Sequence, residues 1–388
     1  MVFMANVDNV DNNDDDHDGV GNGNGSMKTQ LPTDINMLLH VSTLCSVRNI
    51  SREIPAITMN NGCKMPIIGL GTWGATDDFV EIENLGLGER KEKGIEPNEM
   101  VEITKKAIDC GYRHFDTALM HGNEKQIGDA IQQKIKDDTV TRDELFICTK
   151  LWHTYADPDR VILGCERSLK NLGLDYIDLY LIHSPLAAQA NDDSLYPTTK
   201  DGKPAYADVD YVCTWRAMED LLKEGLCKSI GISNFNLKQI DRILEYGTIV
   251  PQNLQIEHHP YLTQTALLGY CRAHNIAVTA YAPLGSPNRP WAFKDTPKAL
   301  LNDRKVLAIA KKHDKSPAQI LIRYQIEKGL ATIPNAGRSE TFLCENINVF
   351  DFCLRPEDMV ALHGLNANRR YFKFTGATGH SHHPFETT

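Results

Sequence analysis

The chain has 388 residues, 41% of them apolar, and a formal net charge of −10 at neutral pH. A mean hydropathy of −0.35 leaves enough apolar residues for a large core, while the acidic balance argues against a general nucleic-acid binder, which needs a basic face for phosphate. No apolar run approaches the ~20 residues of a membrane-crossing helix, so no membrane partner is expected.

Residues 1 to 27 carry six Asp and no Lys or Arg, leaving the rest of the chain near −4 (−10 + 6). A segment this rich in Asp, Asn and Gly buries too little apolar surface to offset the entropy of ordering. Residues 1–52 are therefore expected to be a disordered acidic tail, and 53–388 the folded domain. Inside the tail, INMLLHVSTLCS (35–46) reads as a short element outside the core. Ten Cys lie scattered without CxxC pairs or zinc-type spacing, as expected of reduced thiols used as small hydrophobes in a cytoplasmic protein.

ITMNNGCKMP (57–66) predicts a hairpin with Asn61-Gly62 at its tip. Strand candidates then recur: IIGLG (67–71), HFDTA (114–118), LFICTK (145–150), IDLYLIH (177–183), SIGIS (229–233), LQIEH (254–258), AVTAY (277–281) and LATIP (330–334). Amphipathic runs such as NEMVEITKKAIDCG separate most of them and end on Gly. From Ile67 to Ile333 there are seven steps over 266 residues, 38 per step, the length of a βα unit with a loop. Eight such units predict a (β/α)8 TIM barrel, an α/β fold. The rival, an open doubly wound sheet, needs GxGxxG spacing after its first strand, and GLGTWG does not supply it. The charged stretch 75–98, after the first strand, is expected as a rim loop, either a lid or a solvated segment.

Three successive strands end in ionisable residues: Asp116, Lys150 and His183. One alone is more often a structural ion pair or a satisfied core His. Three together at the C-terminal ends, where barrel enzymes work, point to a catalytic cluster.

The motifs GYRHFDTA…GNE, LFICTKLW, LDYIDLYLIHSP, GLCKSIGISNFN, LQIEHHPYL, VTAYAPLGSP and INVFDF resemble those of the aldo-keto reductase family over about residues 55 to 388. The resemblance implies a (β/α)8 barrel with an N-terminal β-hairpin and a C-terminal substrate loop. It also implies reduction of aldehydes and ketones, or oxidation of the alcohols, with NADPH and without a metal. Carried over residue by residue, Asp116, Lys150 and His183 match the catalytic group. Ser233, Asn234 and Gln255 match the residues that hold the nicotinamide carboxamide, and Tyr281 the aromatic residue that stacks on its ring. Leu284 and Ser286 match contacts to the pyrophosphate, Glu345 and Asn346 contacts to adenine, and Thr72 and Trp73 residues at the mouth beside cofactor and substrate.

Two departures stand out. Where the family places a catalytic Tyr, this chain has His121, whose shorter side chain beside a charged Lys150 is expected to be neutral near pH 7. A neutral imidazole donates a hydrogen bond but is a poor acid, so it would serve better as a base, with His183 taking over protonation. Slower catalysis and a cofactor-binding barrel without turnover both remain open. The family's Lys-Ser pair for the 2′-phosphate is replaced by Asn335 and Ala336, leaving Arg338 as the nearby cation. NADPH with reduced selectivity over NADH is expected.

The mouth is expected to be lined by Trp73, Trp152, Ser184 and Trp291, giving an apolar pocket for a small hydrophobic carbonyl or alcohol. The C-terminal HSHH (380–383) reads as a solvated tail rather than a metal site, and the protein is expected to be a monomer.

Overall fold

A computed structural model describes residues 54–73, 79–82, 87–90, 98–192, 194–287, 289, 299–337 and 339–385. The acidic tail 1–52, with its 35–46 segment, lies outside the described residues. The predicted hairpin forms: β1 (Ala56–Thr58) pairs antiparallel with β2 (Lys64–Pro66), and Gly62 at its tip takes φ 85°. The first barrel strand, β3 (Leu70–Gly71), follows. The charged stretch expected as a loop contains a second antiparallel hairpin, β4 (Phe79–Ile82) with β5 (Leu87–Arg90). Neither FVEI nor LGER alternates apolar and polar residues, so the sequence carries no period-two signal for these strands.

All seven remaining strand candidates are strands: β6 (His114–Asp116), β7 (Phe146–Leu151), β8 (Leu179–Ile182), β9 (Ile230–Ser233), β10 (Asn253–Glu257), β11 (Ala277–Tyr281) and β12 (Ala331–Thr332). They join β3 in one eight-stranded parallel sheet in the order β3-β6-β7-β8-β9-β10-β11-β12. The ends meet. Ile68 bridges Thr332 in parallel, with Gly69 N donating to Thr332 O at 2.9 Å and Thr332 N to Ile67 O at 2.9 Å. Gly71 permits the approach, because a Cβ there would sit 2.5 Å from Ile333 O. The sheet is thus curled into a barrel. β6 to β10 are buried along their whole length, as parallel strands covered on both faces must be.

Helices alternate with most of the strands along the chain, their ends set by local chemistry. Glu99–Cys110 stops at Gly111, whose φ of 106° suits glycine. Pro158–Leu172 starts after Asp157, which accepts from Asp159 N at 3.0 Å, and Pro317–Glu327 after a Ser316/Gln319 capping box. That last helix buries an ion pair, Arg323 to Glu327 at 2.7 Å. Glu327 also accepts from Leu354 N at 2.7 Å, and Arg323 donates to Val349 O at 3.1 Å. The INVFDF segment is held to the barrel wall through this pair.

One expectation is corrected by a disulfide. Cys110 and Cys344 are bonded across the helices Glu99–Cys110 and Glu340–Ile347, with a Cα–Cα separation of 5.3 Å. Six other cysteines (63, 148, 165, 213, 227 and 271) are thiols. At a sequence separation of 234, residue spacing carries no hint of the bond. The C-terminal histidines are corrected too, since they are docked. His380 and His382 pack edge-on against Tyr206 and Tyr211, and Asn236 and Gln239 donate to Pro384 O and His382 O, both at 3.0 Å. Among the described residues no cluster of three metal-ligating side chains occurs and no helix is long and apolar enough to cross a membrane.

Candidate active site

Parallel strands present their C-terminal ends at one rim, and the ionisable residues ending β6, β7 and β8 converge there. Lys150 is buried and its Nζ lies 2.6 Å from Asp116 Oδ1 and 2.7 Å from Thr117 O. Gln255, on β10 across the barrel, donates to Asp116 Oδ2 at 2.7 Å. Both carboxylate oxygens are therefore used, which a buried charge requires. Thr72 donates to Asp116 O at 3.0 Å, while Asn123 accepts from Thr117 at 2.7 Å and donates to Thr72 O at 3.1 Å. The ends of β3 and β6 are locked together by these bonds.

His121 ends a single 3-10 turn, Leu119–His121, that leaves β6. Its N–H donates to Ala118 O at 2.9 Å, and Gly122 terminates the turn at φ 66°. The imidazole faces His183, with ring centroids 6.0 Å apart and planes at 78°. In both rings Nδ1 is buried and has no hydrogen-bond partner among the described residues. Burial pushes the His121 imidazole well below its usual range, and the Lys150 ammonium pushes the same way. His183 is depressed by burial, then by Lys150, His121 and His153. The expectation for His121 thus holds in direction, although burial outweighs Lys150 as the cause. His183 shares the depression, so it is no readier an acid.

Trp152 is buried, donates from Nε1 to Leu195 O at 2.6 Å, and sets its edge against His183 at 5.3 Å. It stacks on His153 at 4.0 Å. His153, absent from the sequence-derived set, is buried, and its Nε2 lies 2.6 Å from Ser184 Oγ. Burial and the neighbouring His380 lower its pKa to about 3. Ser184 is itself buried and also accepts from Leu186 N at 3.3 Å. The same strand-end logic that flagged Lys150 reaches His153 three residues on. Thr117 acts through its backbone carbonyl, which no side-chain pattern reveals.

Beside this cluster, Ser233 and Asn234 close β9 and Gln255 lies in β10, with Asn234 N donating to Gln255 O at 3.0 Å. Asn234 takes φ 62°, a region Asn tolerates better than most residues. It donates to His183 O at 2.9 Å and accepts from Tyr281 at 2.8 Å. A hydroxyl and two amides beside a flat phenol ring match a carboxamide on an aromatic ring, which has donors and an acceptor to satisfy. Phe372 from the C-terminal segment sets its ring against both Tyr281 (5.3 Å) and Trp73 (5.5 Å). Leu284 is half-buried against the core, and Ser286 follows at φ 44°. Glu345 and Asn346 share the helix Glu340–Ile347. Asn335 donates to Trp73 O at 2.5 Å and accepts from Gly337 N at 2.6 Å, while Ala336 is buried. Both ends of the Asn335 amide are thus used within the protein. Arg338 and Trp291 lie outside the described residues.

Comparison with known proteins places the chain in a family. The family model "Aldo/keto reductase family" matches residues 68–367. "Aldo-keto reductase family 1 member A1" of Xenopus tropicalis is 41% identical over 81% of this chain and 89% of its own length. "Dihydrodiol dehydrogenase 3" of Bos taurus is 41% identical over 85% and 97%. The structure of the aldose reductase from Schistosoma japonicum is similar at TM-score 0.75 and 38% identity, covering 86% of this chain and 99% of that one. Fold and sequence agree, and the chain belongs to the aldo/keto reductase family of oxidoreductases.

Proposed function

We propose that this chain reduces small hydrophobic aldehydes or ketones, and oxidises the matching alcohols, with NADP(H), at a site where His121 and His183 share the work of a family tyrosine. The observation that carries it is the buried Lys150–Asp116 pair at 2.6 Å, standing beside two imidazoles that burial, and then Lys150, keep neutral. A bound nicotinamide dinucleotide supplies the hydride. Ser233, Asn234 and Gln255 orient its carboxamide, and Tyr281 supports the ring; these are positioning roles.

The proton chemistry belongs to the chain. A neutral imidazole N–H donates to the carbonyl oxygen as it gains negative charge. Full protonation needs the imidazolium, which burial and Lys150 make scarce at neutral pH. In the oxidising direction the neutral His121 is already a base and accepts the alcohol proton. Reduction is therefore slow near pH 7 and favoured by acid.

NADPH is the proposed cofactor, with NADH also accepted, since Asn335 and Ala336 put no cation where the family has Lys. Trp73, Trp152, Ser184 and Trp291 are proposed to shape the substrate side, Ser184 acting through the His153 ring it contacts. The same neutral imidazoles favour a second reading, a barrel that binds dinucleotide without turning over. Titration with NADPH followed by an aldehyde panel separates the two. Tryptophan quenching with loss of nicotinamide absorbance supports the enzyme; quenching alone supports the binder.

A further inference from the structure

At the rim, a buried carboxylate is joined to the backbone of the C-terminal segment. Glu257, the last residue of β10, is fully buried and lies beside Tyr281 in the strand register. Its Oε1 accepts from Tyr371 N at 2.8 Å and from His259 Nε2 at 2.9 Å, and its Oε2 accepts from Phe372 N at 3.0 Å. A carboxylate buried without such donors costs several kcal/mol, so the three N–H groups and the charge are matched to each other. The same segment is pinned further along. Ala367 N and Arg369 N donate to Tyr261 O at 3.1 and 2.9 Å, and Arg370 donates to Gln264 Oε1 at 2.9 Å. The two amides on Glu257 are the last of these anchors, and the second belongs to Phe372, whose ring meets Trp73 and Tyr281.

We propose that Glu257 is a positioning residue that fixes the C-terminal segment across the mouth and so holds Phe372 as one wall of the carbonyl pocket. The proposal rests on the oxidoreductase reading above. Two adjacent backbone N–H groups on the two oxygens of one carboxylate fix the direction of the chain as well as its place, which a single hydrogen bond does not. Glutamine cannot replace it cleanly. One of its two ends is an NH2, which would face a backbone N–H as donor against donor.

The test compares wild type, Glu257→Gln, Phe372→Ala and the double variant, with NADPH and 4-nitrobenzaldehyde. In Glu257→Gln the KM for the aldehyde should rise about tenfold, as for a lost charge-assisted contact, with kcat changed by less than about threefold. Phe372→Ala should raise KM similarly, and the double variant no further than either single change, because both act through one wall. An unchanged KM in Glu257→Gln, or single effects that multiply, overturns the proposal. If Glu257→Gln does not fold, Phe372→Ala decides, and an unchanged KM there overturns it. Should the wild type turn over no aldehyde, the oxidoreductase reading fails by itself, and amide hydrogen exchange still judges the anchor. Exchange at 371–372 in Glu257→Gln should quicken at least about tenfold while the barrel strands stay protected; unchanged exchange contradicts it.

Discussion

The Gln255 side chain donates to Asp116 at 2.7 Å, across the barrel from the strand that carries the carboxylate. The residue proposed to read the cofactor's carboxamide therefore also braces the partner of Lys150. Positioning of cofactor and maintenance of the ion pair are joined in one amide. Gln255→Leu, close in size but without the amide, should weaken NADPH binding and lower kcat together, each by about tenfold, the value of one buried charge-assisted hydrogen bond. Fluorescence titration with steady-state kinetics reads both. Weaker binding with kcat unchanged would show the bond to Asp116 to be idle.

The Arg323–Glu327 pair is a structural counterpart without chemistry. Both side chains are buried, and Glu327 also accepts from Leu354 N. Glu327→Ala leaves the guanidinium unpaired and should cost roughly 3–5 kcal/mol, as broken buried pairs do. Denaturant unfolding should show a lower midpoint with the slope preserved. Activity measured well below the unfolding transition should stay within a few-fold.

Two buried histidines set an acid limit. His153 and His258 have pKa values lowered to about 3, by burial first and then by His380 and Lys328 respectively. An unfolded histidine titrates near 6.5, so below that pH the unfolded chain binds the extra proton. Their contribution is intact above pH 6.5 and is lost as pH falls toward about 3, at roughly 1.4 kcal/mol per pH unit for each. His153→Asn should flatten the fall in melting temperature between pH 6 and pH 4. A parallel, merely offset curve would show that His153 is charged in the folded protein.

Cofactor selectivity should respond at Asn335. Asn335→Lys adds a cation at the end of β12 at the expense of the bond to Trp73 O. A surface ion pair of ~1 kcal/mol corresponds to about a fivefold gain for NADPH over NADH. Equal change in affinity for both cofactors would indicate that position 335 does not face the 2′-phosphate.

Much of this architecture was legible because its signals are local. Short β-branched or apolar runs separated by amphipathic ones marked all eight strands, and the ionisable residues ending β6, β7 and β8 marked the candidate site. Several strands are shorter than the runs that predicted them: LATIP reduces to Ala331–Thr332 and IIGLG to Leu70–Gly71. What stayed hidden acts over long separation or through backbone. The Cys110–Cys344 bond spans 234 residues. Lys150 is braced by the carbonyl of Thr117, and Glu257 acts on backbone amides of Tyr371 and Phe372. The docked histidines near the C-terminus read as polar tail because only tertiary contacts with Tyr206 and Tyr211 order them.

The central claim is that two neutral imidazoles beside Lys150 have replaced a phenol as the proton relay. The pH profile of aldehyde reduction by wild type and His121→Tyr measures it most directly. Wild-type kcat should climb as pH falls from 8 toward the lower limit of stability, because the imidazolium forms only below its depressed pKa. His121→Tyr should raise the rate at pH 7 by about tenfold to a hundredfold and flatten the climb. A wild-type profile already flat across neutral pH, with His121→Tyr no faster, would contradict the account.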